Sequence, residues 1–422
     1  MVAAREGFPM TDTTDNTGPL RDADAEPPAF PQEKAPGCPF DPPPGYRRFQ
    51  AEDPFARVTL PSGQRARVVT RHRDVRAVLD DPRFSADSAH PDFPRMFPRP
   101  VPQVLKGTFP RLDGAEHLRY RRMLARDFTG RRAEELRSRI EQIVDHRLDL
   151  MEERGGPLDL MEELAYPVPS TVVCELLGVP AEDSPLFESR TRVLINGRST
   201  PEETLRAKDD ILHHLEGVVA AKEKQPGDDL ISRLLVEQVT PGLLDRAEVA
   251  VIAWLLLAAG HHTTATMIGT GTMLLLENPD QLAALRADPA LLPGAVDELL
   301  RHQTAMQIGM NRIATEDVTI GEQTVRAGEG VVCQLATANR DADVFPDPDR
   351  FDVTRTARGQ LAFGHGPHQC PGQSLARIEL QVTVGRLFDR LPGLRLAVPA
   401  ADVPFWHHLF GIHGVKELPV TW

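Results

Sequence analysis

Cysteine is scarce: the 422 residues hold four, Cys38, Cys174, Cys333 and Cys370, with no CxxC pair and no zinc-type spacing. So few and so scattered, they exclude a disulfide framework and fit reduced thiols in a cytosol. Long hydrophobic runs are missing as well. The longest, Val249 to Ala259, is about half of the ~20 residues a bilayer demands, so no membrane span is expected. Nor is there a basic excess. The 61 Asp and Glu outnumber 48 Lys and Arg, and a net charge of −13 argues against a general nucleic-acid binder. No GxGxxG follows a strand pattern, so the chain carries no flavin or nicotinamide fingerprint. Nothing between residues 50 and 422 has the composition of a linker, and no repeat recurs. We expect a disordered tail over 1–36, rich in Pro, Asp, Glu and Thr, and a single large domain over 37–422.

The pattern of that domain is mostly helical. Residues 55–70 alternate around Pro61-Ser-Gly63 and predict a β-hairpin at a sheet edge. A helix is predicted over 71–81, and a long proline-rich loop over 87–113, of the kind that forms lids or binding loops. From 114 to 300 helices follow one another, broken at Gly155-Gly156, Gly178, Gly227 and Asn278-Pro279. Short strands are expected over 317–334, a loop over 335–369, a helix over 373–390, and strand pieces around Phe410-Gly-Ile-His-Gly414.

What is present is concentrated in Phe363-Gly-His-Gly-Pro-His-Gln-Cys-Pro-Gly-Gln-Ser-Leu-Ala-Arg377. Cys370 sits in a glycine-rich loop that runs into a helix. Gly364, Gly366 and Gly372 suit unusual backbone angles or close approach to something large and flat. Pro371 suits the first helical position, which places Cys370 beside the helix N-terminus. Exposed N–H groups and the helix dipole favour a thiolate there. A thiolate so held can be the axial ligand of a haem iron.

Phe363, Gly366, His368, Cys370 and Gly372 resemble the haem-ligand signature of the cytochrome P450 family. The resemblance covers about residues 38–422. It implies a mainly α fold with a minor β region and a long central helix over the haem. It also implies heme b, held through Cys370 as metal ligand, with Phe363, Gly364, His368 and Gly372 forming the cofactor loop.

Residues 245–276 read as that central helix, apolar on nearly every face and hence buried. Inside it lies Ala259-Gly260-His261-His262-Thr263-Thr264, where polar groups need a reason. The segment resembles the family's oxygen-activation motif. The resemblance implies that Gly260 faces the haem pocket and that the Thr263 hydroxyl, free to bond back one turn, helps deliver protons. The motif's acidic position falls on His262, a departure. Histidine also relays protons, with an unperturbed pKa of about 6.5. His262 therefore either substitutes in the relay or fills space and bonds a neighbouring helix. Adjacent residues point about 100° apart on a helix, so His261 and His262 are not expected to chelate a metal together.

Other positions carry supporting roles under the same resemblance. Glu298-Leu-Leu-Arg301 matches the family's structural Glu-x-x-Arg helix, with Arg350 as the third member of its network. His117, Arg121, Arg312 and His368 are implied partners of the haem propionates, which need cationic, multi-donor groups. Asp113-Gly-Ala-Glu-His117 departs from the usual Asp-Pro-Pro-Glu-His but keeps the His-x-x-x-Arg spacing. Arg119, Arg122, Arg126 and Arg377 are implied to receive an acidic ferredoxin. Substrate walls are implied at 87–113, Leu256, Ala259, Gly260, Met306–Gly309 and Leu409–Ile412.

Microsomal relatives carry an N-terminal membrane helix that is not seen here, which points to a soluble, cytoplasmic, monomeric enzyme of actinobacterial secondary-metabolism type. The expected reaction puts one atom of O2 into a small-molecule or carrier-tethered substrate. Electrons would come from NAD(P)H through a separate ferredoxin reductase and ferredoxin. Two rivals remain: oxidative coupling, ring formation or peroxide-driven oxidation at the same haem, and a weakly catalytic haem protein that serves as a binding partner.

Overall fold

The computed structural model describes residues 26–35, 39–96, 105–195, 199–406 and 411–422. The expected tail is partly ordered: Phe30 is buried against Tyr46, and its N–H bonds the Thr59 carbonyl at 2.9 Å. The reason is an aromatic anchor that the polar composition of the tail concealed. Residues 1–25 and 36–38, Cys38 among them, lie outside the described residues.

Helix α1 (Pro44–Glu52) starts on a proline whose preset φ suits a first turn. Strands β1 (Phe55–Thr59) and β2 (Arg65–Val69) form the expected hairpin, with Phe55 opposite Val69. Next come α2 (His72–Asp80) and β3 (Phe84–Ser85). A helical run follows: α3 (Gly114–Leu124), α4 (Gly130–Glu135), α5 (Arg137–Arg154), then β4 (Leu158–Asp159) and a π-helical turn, Met161–Ala165. It continues as α6 (Pro167–Leu177), α7 (Ser184–Ile195), α8 (Pro201–Lys224) and α9 (Leu230–Leu234). Helices α10 (Arg246–Glu277), α11 (Pro279–Ala287) and α12 (Leu292–Gln303) complete it.

The β region begins earlier than expected, because β5 (Met310–Ala314) pairs antiparallel with β8 (Gly330–Cys333). Between them β6 (Val318–Ile320) and β7 (Gln323–Val325) form a separate hairpin. The main sheet runs β1-β2-β8-β5-β3, with β2 and β8 parallel although about 260 residues separate them. A short α13 (Leu335–Ala338) leads into the long loop, and α14 (Gln373–Arg390) matches its predicted span. Strands β9 (Arg395–Leu396) and β10 (Pro419–Thr421) join β4 in a second sheet. The expected strand pieces around 410–414 appear in the described part as isolated antiparallel β-bridges: Met306 pairs with Ile412 and Phe405 with Val415, and the His413 N–H bonds the Ala305 carbonyl at 3.0 Å.

Helix α10 is the axis of the molecule. It begins with a capping box, in which Asp245 accepts from the Glu248 N–H at 2.7 Å and Glu248 from the Asp245 N–H at 2.8 Å. It packs against α6, α8, α12 and α14, and its apolar side chains enter both of the largest core clusters. This corrects the expectation that no segment is long enough for a bilayer. By length and composition α10 qualifies, since helix continues far past the apolar run, but two-thirds of its most apolar stretch is buried inside the protein.

One ion-pair network fixes the loop ahead of Cys370. Arg301 and Glu298, both fully buried, bond at 2.6 and 2.8 Å. Arg301 also donates to the carbonyls of Asn339 and Pro348, each at 2.8 Å. The third member is Arg355, not Arg350: Arg355 reaches Glu298 at 3.1 Å, while the Arg350 side chain is exposed and only its carbonyl takes part. The turn at 352–355 carries Arg355 inward, and nothing local in the sequence distinguishes the two arginines.

Removing one partner from a buried pair costs about 3–5 kcal/mol. Glu298→Ala should therefore lower the melting temperature sharply and Arg355→Ala clearly, whereas Arg350→Ala should stay within roughly 0.5 kcal/mol of the parent. Glu379 of α14 gives a second expectation. Burial pushes its carboxyl up to about 8, and its Oε2 has no hydrogen-bond partner. Between its ordinary value and 8 the folded state holds a proton that the unfolded chain does not, so stability falls as pH rises. Glu379→Gln should gain stability over the parent from pH 5 to pH 8, by up to about 4 kcal/mol, in denaturant titrations at the two pH values.

Candidate functional site

The Cys370 loop is built by backbone geometry. Gly364 and Gly366 take φ of +72° and +69°, where side chains are disfavoured. A Cβ on Gly366 would lie 2.6 Å from the Leu79 carbonyl, so the close approach this glycine permits is to the end of α2. The Cys370 N–H bonds the Phe363 carbonyl at 2.9 Å. Pro371 is not the first helical residue, as expected, but stands in a turn two positions ahead of it, with Gly372 as the N-cap. That shift lets the sulfur take the place of a capping side chain. Burial pushes the Cys370 thiol up, while the Gly372 N–H, Arg121, Arg377 and the Gln373 N–H oppose it. Cys370 is largely buried yet keeps some accessible surface.

The expected propionate partners come together on one side. Helix α3 presents His117 and Arg121 one turn apart, and Arg121 is close enough to Cys370 to feel its charge. The His117 and His368 rings stack at 4.0 Å. Burial, then His368 and Arg121, hold His117 down to about 4, so it is neutral at pH 7. Arg312 of β5 is 4% exposed, and one of its terminal nitrogens has no partner. A buried guanidinium with an idle donor points to an anion that belongs there.

Sequence reasoning quoted Asp113 but gave it no role. Its carboxylate faces His368 at 3.4 Å and accepts from Ser85 at 2.5 Å and from the Ala86 N–H at 3.1 Å. Burial alone would raise Asp113, but these bonds outweigh it and hold it at about 2. Asp113 thus ties α3, the end of β3 and the cysteine loop together.

On α10 the Thr263 hydroxyl bonds back to the Ala259 carbonyl at 2.8 Å. Ala259 is exposed and Thr263, Ala258 and Gly260 are partly so, while His261, His262 and Thr264 are buried. Gly260 is half-buried, and a Cβ there would meet only Val173 of α6, at an ordinary 3.6 Å. His261 and His262 are both buried, and their rings lie 4.3 Å apart although their backbone positions diverge. Among the described residues no group of three or more ligating side chains surrounds them.

The expected substrate wall is partly visible. Met306–Gly309 and residues 411–412 are zipped together, with the Gln307 N–H on the Gly411 carbonyl at 2.9 Å. Residues 97–104 and 407–410 lie outside the described residues. Of the arginines implied to receive a ferredoxin, Arg122 is exposed. Arg119 bonds the Leu243 carbonyl, Arg126 pairs with Glu237, and Arg377 bonds Asp297 while its guanidinium lies 4.6 Å over Phe363.

A buried sulfur donor, cationic donors gathered near it and a hydroxyl at a partly exposed turn of α10 are groups that suit a flat macrocycle with two carboxylates. These are the features of a haem-thiolate oxygenase. The cytochrome P450 family model matches residues 194–392. Cytochrome P450-SU2 of Streptomyces griseolus is 49% identical over 395 residues, 93% of this chain and 96% of its own length. Pentalenic acid synthase of Streptomyces avermitilis is 47% identical over 94% of this chain and 98% of its own. Among solved structures, CYP105P1 in complex with filipin I superposes with a TM-score of 0.88 at 42% identity, covering 94% of this chain and 99% of that one. The chain belongs to the cytochrome P450 family and is a P450 monooxygenase.

Arg312→Leu separates fold from cofactor. It removes an unpaired buried charge, so the haem-free protein should be no less stable in urea. Haem loss to a scavenger protein should rise roughly tenfold or more, since a hydrogen bond to a charged group is worth about 1.5–3 kcal/mol. Arg122→Leu should leave haem retention unchanged.

Proposed function

We propose that Cys370 is the thiolate ligand of heme b, and that the enzyme inserts one oxygen atom from O2 into a mainly apolar natural-product intermediate. The observation that carries this reading is the convergence of Cys370, Arg121, Arg312, His117 and His368 around one space. The bound haem supplies oxygen activation: one atom goes to the substrate and the other leaves as water. Arg121, Arg312, His117 and His368 would hold the two propionates. Phe363 gives its carbonyl to the Cys370 N–H and its ring to Arg377, which keeps the sulfur aimed. Thr263 keeps a hydroxyl at the partly exposed turn of α10, where it would hold a proton for delivery.

The walls at Leu256, Ala259, Met306, Ile308 and Ile412 are apolar and favour an apolar scaffold. Relatives named pentalenic acid synthase and the neighbour that holds filipin I support a natural-product substrate. Electrons come from NAD(P)H through a ferredoxin reductase and a ferredoxin that docks near Arg122 on the Cys370 side, since this chain carries no dinucleotide fingerprint of its own. One observation favours a second reading at the same haem. The carboxylate of the proton-delivery motif is replaced by His262, which suits coupling, ring formation or peroxide-driven oxidation. Product mass separates the two, because coupling removes two hydrogens and adds no oxygen.

The test is an optical titration of the ferric holoenzyme against natural-product scaffolds. A saturable low-spin to high-spin change with one apolar scaffold, followed by a product one oxygen heavier, is the expected result. No change with any free scaffold, together with a change on a carrier-tethered acyl chain, would replace the free small molecule with a tethered substrate.

A further inference from the structure

Arg111 has no part in the site as drawn so far. It closes a 3-10 turn, Phe109–Arg111, at the end of the 87–113 loop, and its N–H bonds the Thr108 carbonyl at 3.0 Å. The turn is firmly seated. Phe109 is buried, stacks on Tyr120 with ring centroids 6.4 Å apart and meets the His117 ring at the same separation. Arg111 is thereby fixed relative to α3, the helix that carries His117 and Arg121.

Nothing in the chain neutralises this cation. Its guanidinium lies 6.0 Å over the ring of Phe93, itself buried. A cation–π contact at that distance steadies the group without consuming its N–H donors. Among the described residues no carboxylate pairs with Arg111 and no side-chain hydrogen bond holds it. The side chain keeps accessible surface, yet burial lowers its pKa with no acid opposing. A cation that protein crowds and water still reaches lies in a recess, not on an open face. Arg111 also stands close enough to Arg312 to push its pKa down. Arg312 is 4% exposed, has an idle terminal nitrogen and, among the described residues, stands in no ion pair either. Two guanidinium groups that repel each other, neither paired with a carboxylate side chain, call for anions from outside the chain.

We propose that Arg111 binds a carboxylate of the substrate, so that the natural-product intermediate is an apolar acid. The proposal rests on the oxygen-insertion reading above and narrows its substrate class. Under that reading Arg121, Arg312, His117 and His368 already serve the two propionates. Arg111 is surplus to that need, and it comes from the loop expected to wall the substrate. A guanidinium fork matches one carboxylate through two parallel hydrogen bonds. The other expected walls are apolar and offer little to orient a scaffold, so one anchored end decides which carbon is presented for oxidation.

The test is an optical titration of the ferric holoenzyme with matched acids and methyl esters, using dodecanoic acid and abietic acid as probes. The parent, Arg111→Met and Arg111→Lys are compared. A hydrogen bond to a charged group is worth roughly tenfold to a hundredfold in affinity, so the parent should bind at least one acid about tenfold or more tighter than its ester. Arg111→Met should lose that preference and keep the parent's affinity for the ester, and Arg111→Lys should restore part of it. Haem loss to a scavenger protein should be the same in Arg111→Met as in the parent. Equal affinity for acid and ester in the parent, no spin-state change with either acid, or a preference that survives in Arg111→Met would overturn the proposal. Faster haem loss in Arg111→Met would also overturn it, by making Arg111 a propionate donor. Acid-selective binding that depends on Arg111, with no product one oxygen heavier, would uphold the carboxylate site and overturn the oxygen-insertion reading instead.

Discussion

A buried sulfur that is to carry negative charge needs donors and positive charge around it, and under the proposed haem-thiolate reading that need organises this molecule. The Gly372 and Gln373 N–H groups, Arg121 and Arg377 supply them against the cost of burial. They come from two helices, α3 and α14, so both must be fixed relative to the Cys370 loop. Much of the remaining architecture does that fixing.

The chain of supports can be followed outward. The fully buried Glu298–Arg301 pair grips the carbonyls of Asn339 and Pro348, and Asn339 takes the Leu361 N–H at 2.7 Å. The loop therefore arrives at Phe363 with little freedom. Asp113 ties the other side, joining α3 to β3 and His368. Helix α10 crosses the molecule packed on α14, with Ala259 exposed and Thr263 partly exposed at its polar turn. Buried ion pairs are weak evidence for net stability but strong evidence for geometry, because a misplaced partner leaves a charge alone in the core. In this protein they set geometry.

The helices were legible from apolar period and caps: α14 matched its predicted span, and the β1–β2 hairpin was marked by Pro61 and Gly63. The cysteine loop was legible because glycine spacing around a lone cysteine is unusual. What stayed hidden depended on long-range pairing. Arg355 and Arg350 look alike in sequence, and only the fold of the 339–361 loop decides which one turns inward. The pairing of β2 with β8 links segments that carry no mutual signal. Phe30 was lost in a tail whose polarity masked a single aromatic anchor.

The most direct measurement is the absorption spectrum of the reduced holoenzyme with carbon monoxide, for the parent and for Cys370→His. The account predicts the long-wavelength Soret band of a thiolate opposite carbon monoxide in the parent, replaced by the shorter-wavelength band of a nitrogen ligand in the variant. A parent spectrum of the nitrogen-ligated kind, unchanged by the substitution, would contradict the assignment of Cys370 and the account built on it.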